Sequence, residues 1–381
     1  MDFSLSEEHL AVQEAAREFA QHELLPGILE RDEKQQFPFD QVKKMGEMGF
    51  LGMMVDPKYQ GSGMDTLSYV IALEEISKID AAAGVIMSVN NSLVCWGLEE
   101  YGSEYIKNAY LAQLAPGAVL GAFCLSEPEA GSDATAIKTK AEDKGDHYLL
   151  NGIKNWITNG GNASVYLVIA QSDPSLGHKG INAFVVEKKW DGIQIGQKEN
   201  KLGIRSSDTH SIMFNDVKVP KSNLLGKEGM GFKIAMNILN GGRIGIAAQA
   251  LGIASGAYEL SLKYALERKA FGKPISEHQA IQFKLADMHA SIEASRLLSY
   301  KAAYLKDQGI PFTKESAVAK LVASQTAMDV ADEAIQIHGG YGYVKEYHVE
   351  RMLRDAKITQ IYEGTSEIQR LVITREILKS I

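Results

Sequence analysis

Four segments hold residue types that can do chemistry at spacings that would expose them. In Ile361-Tyr362-Glu363-Gly364-Thr365-Ser366-Glu367, a carboxylate stands between an apolar stretch and a glycine, just ahead of a helix that Thr365 or Ser366 can cap. Glu363 so placed is either a general base in waiting or a side chain favoured by a helix dipole. Leu125-Ser126-Glu127-Pro128-Glu129-Ala130-Gly131-Ser132-Asp133 follows a strand-like run. Its turn would offer backbone N–H groups and hydroxyls to a polar ligand, or simply end the strand. In Lys154-Asn155-Trp156-Ile157-Thr158-Asn159-Gly160, Trp156 can stack on a planar cofactor while Thr158 bonds its edge, or it can sit in a core. The fourth segment, Gln336-Ile337-His338-Gly339-Gly340-Tyr341-Gly342-Tyr343, ends a helix on two glycines that also permit close approach by a ligand. Arg268 and Gln279 flank a further loop, Phe271-Gly272-Lys273-Pro274.

Other chemistries find no support. No P-loop, zinc-protease or nucleophile-elbow motif occurs, and Gly229-Met230-Gly231 lacks the third glycine of a dinucleotide fingerprint. The nine histidines are scattered, so no metal site is expected. Cys95 and Cys124 are the only cysteines, too few for a disulfide framework or an iron–sulfur site. The 381 residues carry 40 Lys and Arg against 48 Asp and Glu, a net charge of −8, which argues against nucleic-acid binding. No apolar run approaching the ~18 residues of a membrane span is read from the sequence. The acidic start, Asp2-Phe3-Ser4-Leu5-Ser6-Glu7-Glu8, resembles no export signal. The expectation is a soluble cytoplasmic protein, a processed mitochondrial matrix form being the alternative.

Periodicity supplies the elements that must position these segments. Residues 1–118 read as a helical domain, with Ser4 and Glu7 as a capping box and helices at Leu67–Ile79 and Ala81–Trp96. Residues 119–225 read as a β domain. Seven or so short runs are separated by turn signals, among them Lys144-Gly145-Asp146 and a hairpin cue at Asn151-Gly152. A small barrel or sandwich fits that spacing. Residues 226–381 return to helix, with apolar stripes at Leu251/Tyr258/Leu262/Leu266, Ile281/Leu285/Met288/Ile292 and Val318/Leu321/Val322/Met328/Ile335. The Gly- and Ala-rich Gly241–Ala257 stretch would let helices approach closely, and a four-helix bundle is expected there. The fold class is α+β, mainly α.

Taken together, the segments resemble the acyl-CoA dehydrogenase family over essentially the whole chain, from Leu5 to Leu378. Two signatures carry the resemblance. One is Cys124-Leu125-Ser126-Glu127 leading into Gly131-Ser132-Asp133. The other is Gln336 to Tyr343, followed by Arg354-Asp355 and Ile361-Tyr362-Glu363-Gly364-Thr365. The nearest likeness is to short-chain, butyryl-CoA-type members.

The resemblance implies a homotetramer with one FAD per subunit. It implies flavin contacts from Phe123, Leu125, Ser126, Ser132, Trp156, Ile157 and Thr158. It assigns the pyrophosphate and adenine end to Arg268, Phe271 and Gln279, joined by Gln336, Gly339 and Gly340 of a neighbouring subunit. Thr365 and Glu367 continue the cofactor site at the helix start, and Ser132, Asn240, Arg243 and Gly364 match substrate-contacting positions. The implied reaction is α,β-dehydrogenation of a short-chain acyl-CoA. Glu363 takes the α-proton, the β-hydrogen leaves as hydride to flavin N5, and an electron-transferring flavoprotein accepts the electrons. Enoyl-CoA reduction within an electron-transfer complex, and an oxygen-reactive flavin oxidase of the same fold, are the alternatives.

Departures within the family narrow the substrate. Some members place the base just before the arginine matching Arg243; Gly242 stands there and leaves Glu363 as the sole candidate. Gly84 falls near the place where glutaryl-type members carry an arginine, which argues against a dicarboxylic substrate. Met87–Ser92, near the pocket floor in the family, resembles short-chain members.

Overall fold

The computed structural model describes residues 4–379. Helices come first: α1 (Glu7–Phe19), α2 (Ile28–Glu33), α3 (Phe39–Glu47), α4 (Thr66–Ile79), α5 (Ala81–Ser88), α6 (Trp96–Tyr101), α7 (Glu104–Ile106) and α8 (Ala112–Leu114). Ser6 rather than Ser4 caps α1, its side chain accepting from the His9 N–H, so the capping box read at Ser4 and Glu7 is not the one used. Asp80 caps α5 by accepting from Ala82 and Ala83 N–H at 3.0 and 3.1 Å. A π-helical turn over Val89–Cys95 joins α5 to α6. The resulting 21-residue helix, Ala81–Tyr101, is long and apolar enough to cross a membrane, contrary to the sequence reading. However, 94% of its apolar window is buried inside the protein, as in a core helix.

One curled sheet follows, built from β1 (Gly121–Cys124), β2 (Lys140–Asp143), β3 (His147–Thr158), β4 (Val165–Gln171), β5 (Ile181–Glu187), β6 (Ile193–Lys198) and β7 (Thr209–Pro220). The order is β1-β4-β2-β3-β7-β6, with β5 on the other edge of β4. β1 lies parallel to β4, pairing Phe123 with Leu167. Asn151-Gly152 makes no hairpin. β3 runs straight through it for 12 residues, and the register against β7 shifts between Leu150 and Gly152. A β-carbon on Gly152 would lie 2.5 Å from Thr139 Oγ1 and 2.6 Å from Thr139 Cα, so the glycine serves a bulge that admits the neighbouring strand. The turn signal at Lys144-Gly145-Asp146 does close the β2–β3 hairpin, with Gly145 at φ 93°.

The last segment holds α9 (Gly231–Glu267), the short hairpin β8 (Lys269–Ala270) and β9 (Lys273–Pro274), then α10 (Gln279–Asp307), α11 (Thr313–His338), α12 (Val349–Thr359) and α13 (Ser366–Leu378). α9 crosses α4 at backbone contact. β-carbons on Gly252 and Gly256 would meet Glu74 O at 2.5 Å and Lys78 O at 2.2 Å. Two apolar stripes differ from the sequence reading. Leu262 and Leu266 at the end of α9 are exposed, at 37% and 60%. In α11 the large residues Val318, Leu321, Val322, Met328 and Ile335 are only half-buried. The buried face is instead mostly small, with Ala319, Ala323, Ala327, Ala331 and Ala334, and holds Lys320, Val330 and Ile337 among them. Small side chains let α11 sit close against α9, so the groove between them excludes bulk.

Candidate active site

Glu363 lies in the tight turn between α12 and α13. Glu363 has φ 52° and Gly364 φ 93°, two successive residues in left-handed conformation. For a non-glycine residue that costs roughly 1–2 kcal/mol, so the surroundings must hold it. Thr365 caps α13, accepting from Ile368 N–H at 3.3 Å. Gln369 Nε2 donates to Gly364 O at 2.8 Å and Glu363 O at 3.4 Å, and Lys320 Nζ donates to Gly364 O.

The side chain of Glu363 points at α9. A β-carbon on Gly242 would lie 2.1 Å from Glu363 Oε2 and 2.6 Å from Leu93 Cδ2, so only glycine leaves room there. Oε2 is closed off from solvent and, among the described residues, accepts no hydrogen bond. Burial pushes the carboxyl up to about 7; the positive charges of Lys320 and then Arg243 act against that rise. Among the described residues, the backbone N–H of Glu363 also has no acceptor. A desolvated carboxylate poised near neutral pH, beside a free N–H, can remove a proton and stabilise a nearby oxyanion.

Around this base stand Arg243 and Asn240 from α9. Arg243 is buried, with Nη1 donating to Asn240 Oδ1 at 2.7 Å, and Asn240 Nδ2 reaches Thr313 Oγ1 at 3.1 Å. Burial pushes Arg243 down to about 10, while Glu363 acts to raise it. The floor is polar. Tyr69 OH donates to Ser88 Oγ at 3.0 Å, and a β-carbon on Gly245 would lie 2.5 Å from both oxygens. Tyr362 OH bonds Gln249 Oε1. The sequence reading did not assign Tyr69, Gln249, Lys320 or Gln369. Lys320 had a visible signal, a charge on a helical stripe whose nearest members are alanines and serines.

Phe123, Leu125, Ser126, Trp156, Ile157 and Thr158 come together at the ends of β1 and β3. Asn155 N–H donates to Ser126 O at 2.9 Å, and buried Lys154 donates to Leu125 O at 2.9 Å and Glu127 Oε1 at 2.7 Å. Glu127 also accepts from Lys138 and Thr139 N–H, at 2.6 and 3.0 Å. Burial works to raise its carboxyl, but Lys154 and these bonds prevail and hold it below its usual range. The turn is thus clamped from beneath while its rim, with Gly131 and Ser132, stays exposed. Trp156 is 61% exposed and so not the core residue its type suggests, whereas Ile157 is buried.

A second cluster is built from the β8–β9 hairpin, flanked by Arg268 and Gln279 and tipped by Phe271, and from the end of α11, with Gln336, Gly339 and Gly340. The Arg268 guanidinium lies 5.5 Å from the Tyr341 ring centroid, and Tyr264 stacks on His338 at 4.3 Å. Phe271 is 97% exposed, and nothing stands within 4 Å of a β-carbon on Gly272, Gly339 or Gly340. Among the described residues, no hydrogen bond, ion pair or ring contact joins this cluster to Trp156 and Ser126. An exposed aromatic beside a clamped turn suits a planar ring system. An arginine that, among the described residues, makes no ion pair suits a diphosphate. Both features fit a flavin nucleotide.

Residues 6–118, 122–217 and 229–378 match, in turn, the N-terminal, middle and C-terminal domains of acyl-CoA dehydrogenase. The chain belongs to the acyl-CoA dehydrogenase family. That family is flavin-dependent, and its members are oxidoreductases. A short-chain specific acyl-CoA dehydrogenase of Clostridium acetobutylicum is 51% identical over 379 residues, covering 100% of both chains. An acryloyl-CoA reductase (NADH) of Anaerotignum propionicum is 50% identical, over 100% of this chain and 96% of the relative. Among solved structures, one described as the electron transferring flavoprotein of Acidaminococcus fermentans, in work on flavin-based electron bifurcation, superposes with TM-score 0.98. It is 49% identical and covered over 100% of both chains.

Proposed function

We propose that this acyl-CoA dehydrogenase oxidises short-chain acyl-CoA thioesters to 2,3-enoyl-CoA, with Glu363 as the base. The observation that carries the reading is the Glu363 carboxylate lodged against Gly242, with Oε2 closed off from solvent and, among the described residues, without a hydrogen-bond partner. A thioester carbonyl acidifies its α C–H, so a carboxylate held near neutral pKa suffices to remove that proton. The Glu363 N–H then donates to the thioester oxygen as negative charge develops there. Arg243 and Asn240 line the approach and meet the polar acyl-CoA chain, with Ser132 and Gly364 beside it. FAD is the flavin proposed, and when bound it supplies the acceptor for the β-hydride. Phe123, Leu125, Ser126, Ser132, Trp156, Ile157, Thr158, Thr365 and Glu367 would hold its ring end. Arg268, Phe271 and Gln279, with Gln336, Gly339 and Gly340 of a neighbouring copy, would hold its nucleotide end. The site would be completed by neighbouring copies within a homotetramer. An electron-transferring flavoprotein is the proposed electron acceptor.

The test is anaerobic bleaching of the flavin by acyl-CoAs of increasing chain length. Four-carbon thioesters should bleach fastest; bleaching only by long or branched chains would overturn the short-chain assignment. A second reading, net enoyl-CoA reduction, is favoured by the acryloyl-CoA reductase relative. Faster crotonyl-CoA reduction than butyryl-CoA oxidation, at the acceptor's own potential, would establish it.

A further inference from the structure

Lys320 is fully buried on the face of α11 that meets the Glu363 turn. Its neighbours on that face are alanines and serines, and among the described residues the one acceptor its ammonium has is the Gly364 carbonyl. An ammonium with a single backbone acceptor is costly to bury unless an anion stands nearby. The groups acting on it are Glu363 from the turn, Arg243 from α9 and Glu367 from the start of α13. Glu367 is exposed, so its charge is screened, and Arg243 is of like sign. That leaves Glu363 as the compensating charge.

We infer that Lys320 is a positioning residue for the base: it pins the strained turn through Gly364 O and sets the charge state of Glu363 from behind. The inference rests on Glu363 being the base. Gln369 also holds the turn, through the same carbonyl, but brings no charge. The two residues therefore separate mechanical from electrostatic support. Lys320 leads Arg243 among the groups holding the Glu363 carboxyl down against burial, and burial pushes Lys320 itself down to about 7. The phenols of Tyr69 and Tyr362 also face Glu363, and both are pushed up, chiefly by burial, so they stay neutral.

The test is the pH dependence of kcat/KM for butyryl-CoA with the flavin-loaded protein. In Lys320→Met the rising limb should move up by about one pH unit or more, the usual effect of losing a neighbouring opposite charge. In Gln369→Leu the limb should stay in place while kcat falls. Loss of activity in Glu363→Gln with an unmoved limb in Lys320→Met would overturn this inference and leave the base assignment standing. Full activity in Glu363→Gln would overturn both. Where Lys320→Met does not fold, Lys320→Arg decides, since it keeps the charge: its limb should match the wild type, and an upward shift would overturn the inference.

Discussion

Glu363 occupies the space that a side chain on Gly242 would need: a β-carbon there would stand 2.1 Å from Oε2. The two residues are far apart in sequence, and the missing side chain of one makes room for the carboxylate of the other. Gly242→Ala should therefore push the carboxylate aside while the helix, which favours alanine, survives. We expect kcat to fall by about 10- to 100-fold, the scale of a misplaced reacting group, with circular dichroism unchanged. Wild-type turnover in that variant would show that Glu363 has slack to move.

Glu363→Gln should keep the flavin and lose at least ~10²-fold in turnover, the usual contribution of a general base. Stopped-flow bleaching with butyryl-CoA reads this directly. Near-normal bleaching would place the base elsewhere.

The same substitution should alter stability in a pH-dependent way. The folded protein holds the Glu363 proton up to about 7, against 4.5 for the free group. Between those values the folded state binds more protons than the unfolded chain, so this group makes stability fall as pH rises through the window. Glutamine has no charged form to desolvate. Glu363→Gln removes that cost but also takes the compensating charge from Lys320, so the melting temperature of the variant relative to the wild type should rise from pH 5 to pH 8. An equal gap at both values would contradict the assigned burial cost. For the wild type, kcat/KM should rise with pH through about 7 as the carboxyl ionises.

Lys154 and Glu127 form a buried pair 2.7 Å apart beneath the turn that carries Ser126. Removing one partner leaves the other charge stranded, at a cost of about 3–5 kcal/mol. Lys154→Met should lower both the melting temperature and the flavin content. The double change Lys154→Met with Glu127→Gln should recover part of the melting temperature. If the double variant is no better than the single, the stranded charge is not the cause.

Trp156→Ala should behave differently. The side chain is mostly exposed, so the melting temperature of the flavin-free protein should change little. Flavin affinity, followed by fluorescence titration, should weaken by about 10-fold or more, as expected for a lost stacking surface. A large drop in apoprotein stability would mean that Trp156 packs structurally instead.

The sequence by itself determined the order helical–strand–helical and the turn that carries Glu363. These are legible because helical and strand periodicities are local, and because glycine and capping residues mark the ends of elements. Only the tertiary structure decided what depends on two distant backbones approaching. Asn151-Gly152 has the chemistry of a hairpin, but Thr139, which leads into β2, takes the space over Gly152, and the chain makes a bulge. Trp156 has the composition of a core residue, yet the sheet leaves its ring outside. In α11 the stripe of Val318, Leu321, Val322, Met328 and Ile335 ended half-buried, while the face that went inside is mostly alanine and holds Lys320. Helices that pack closely bury their smallest side chains, and hydrophobic size therefore points to the wrong face. A buried lysine beside Glu363, and a glycine whose missing side chain admits the carboxylate, are properties of packing distance, which no local pattern encodes.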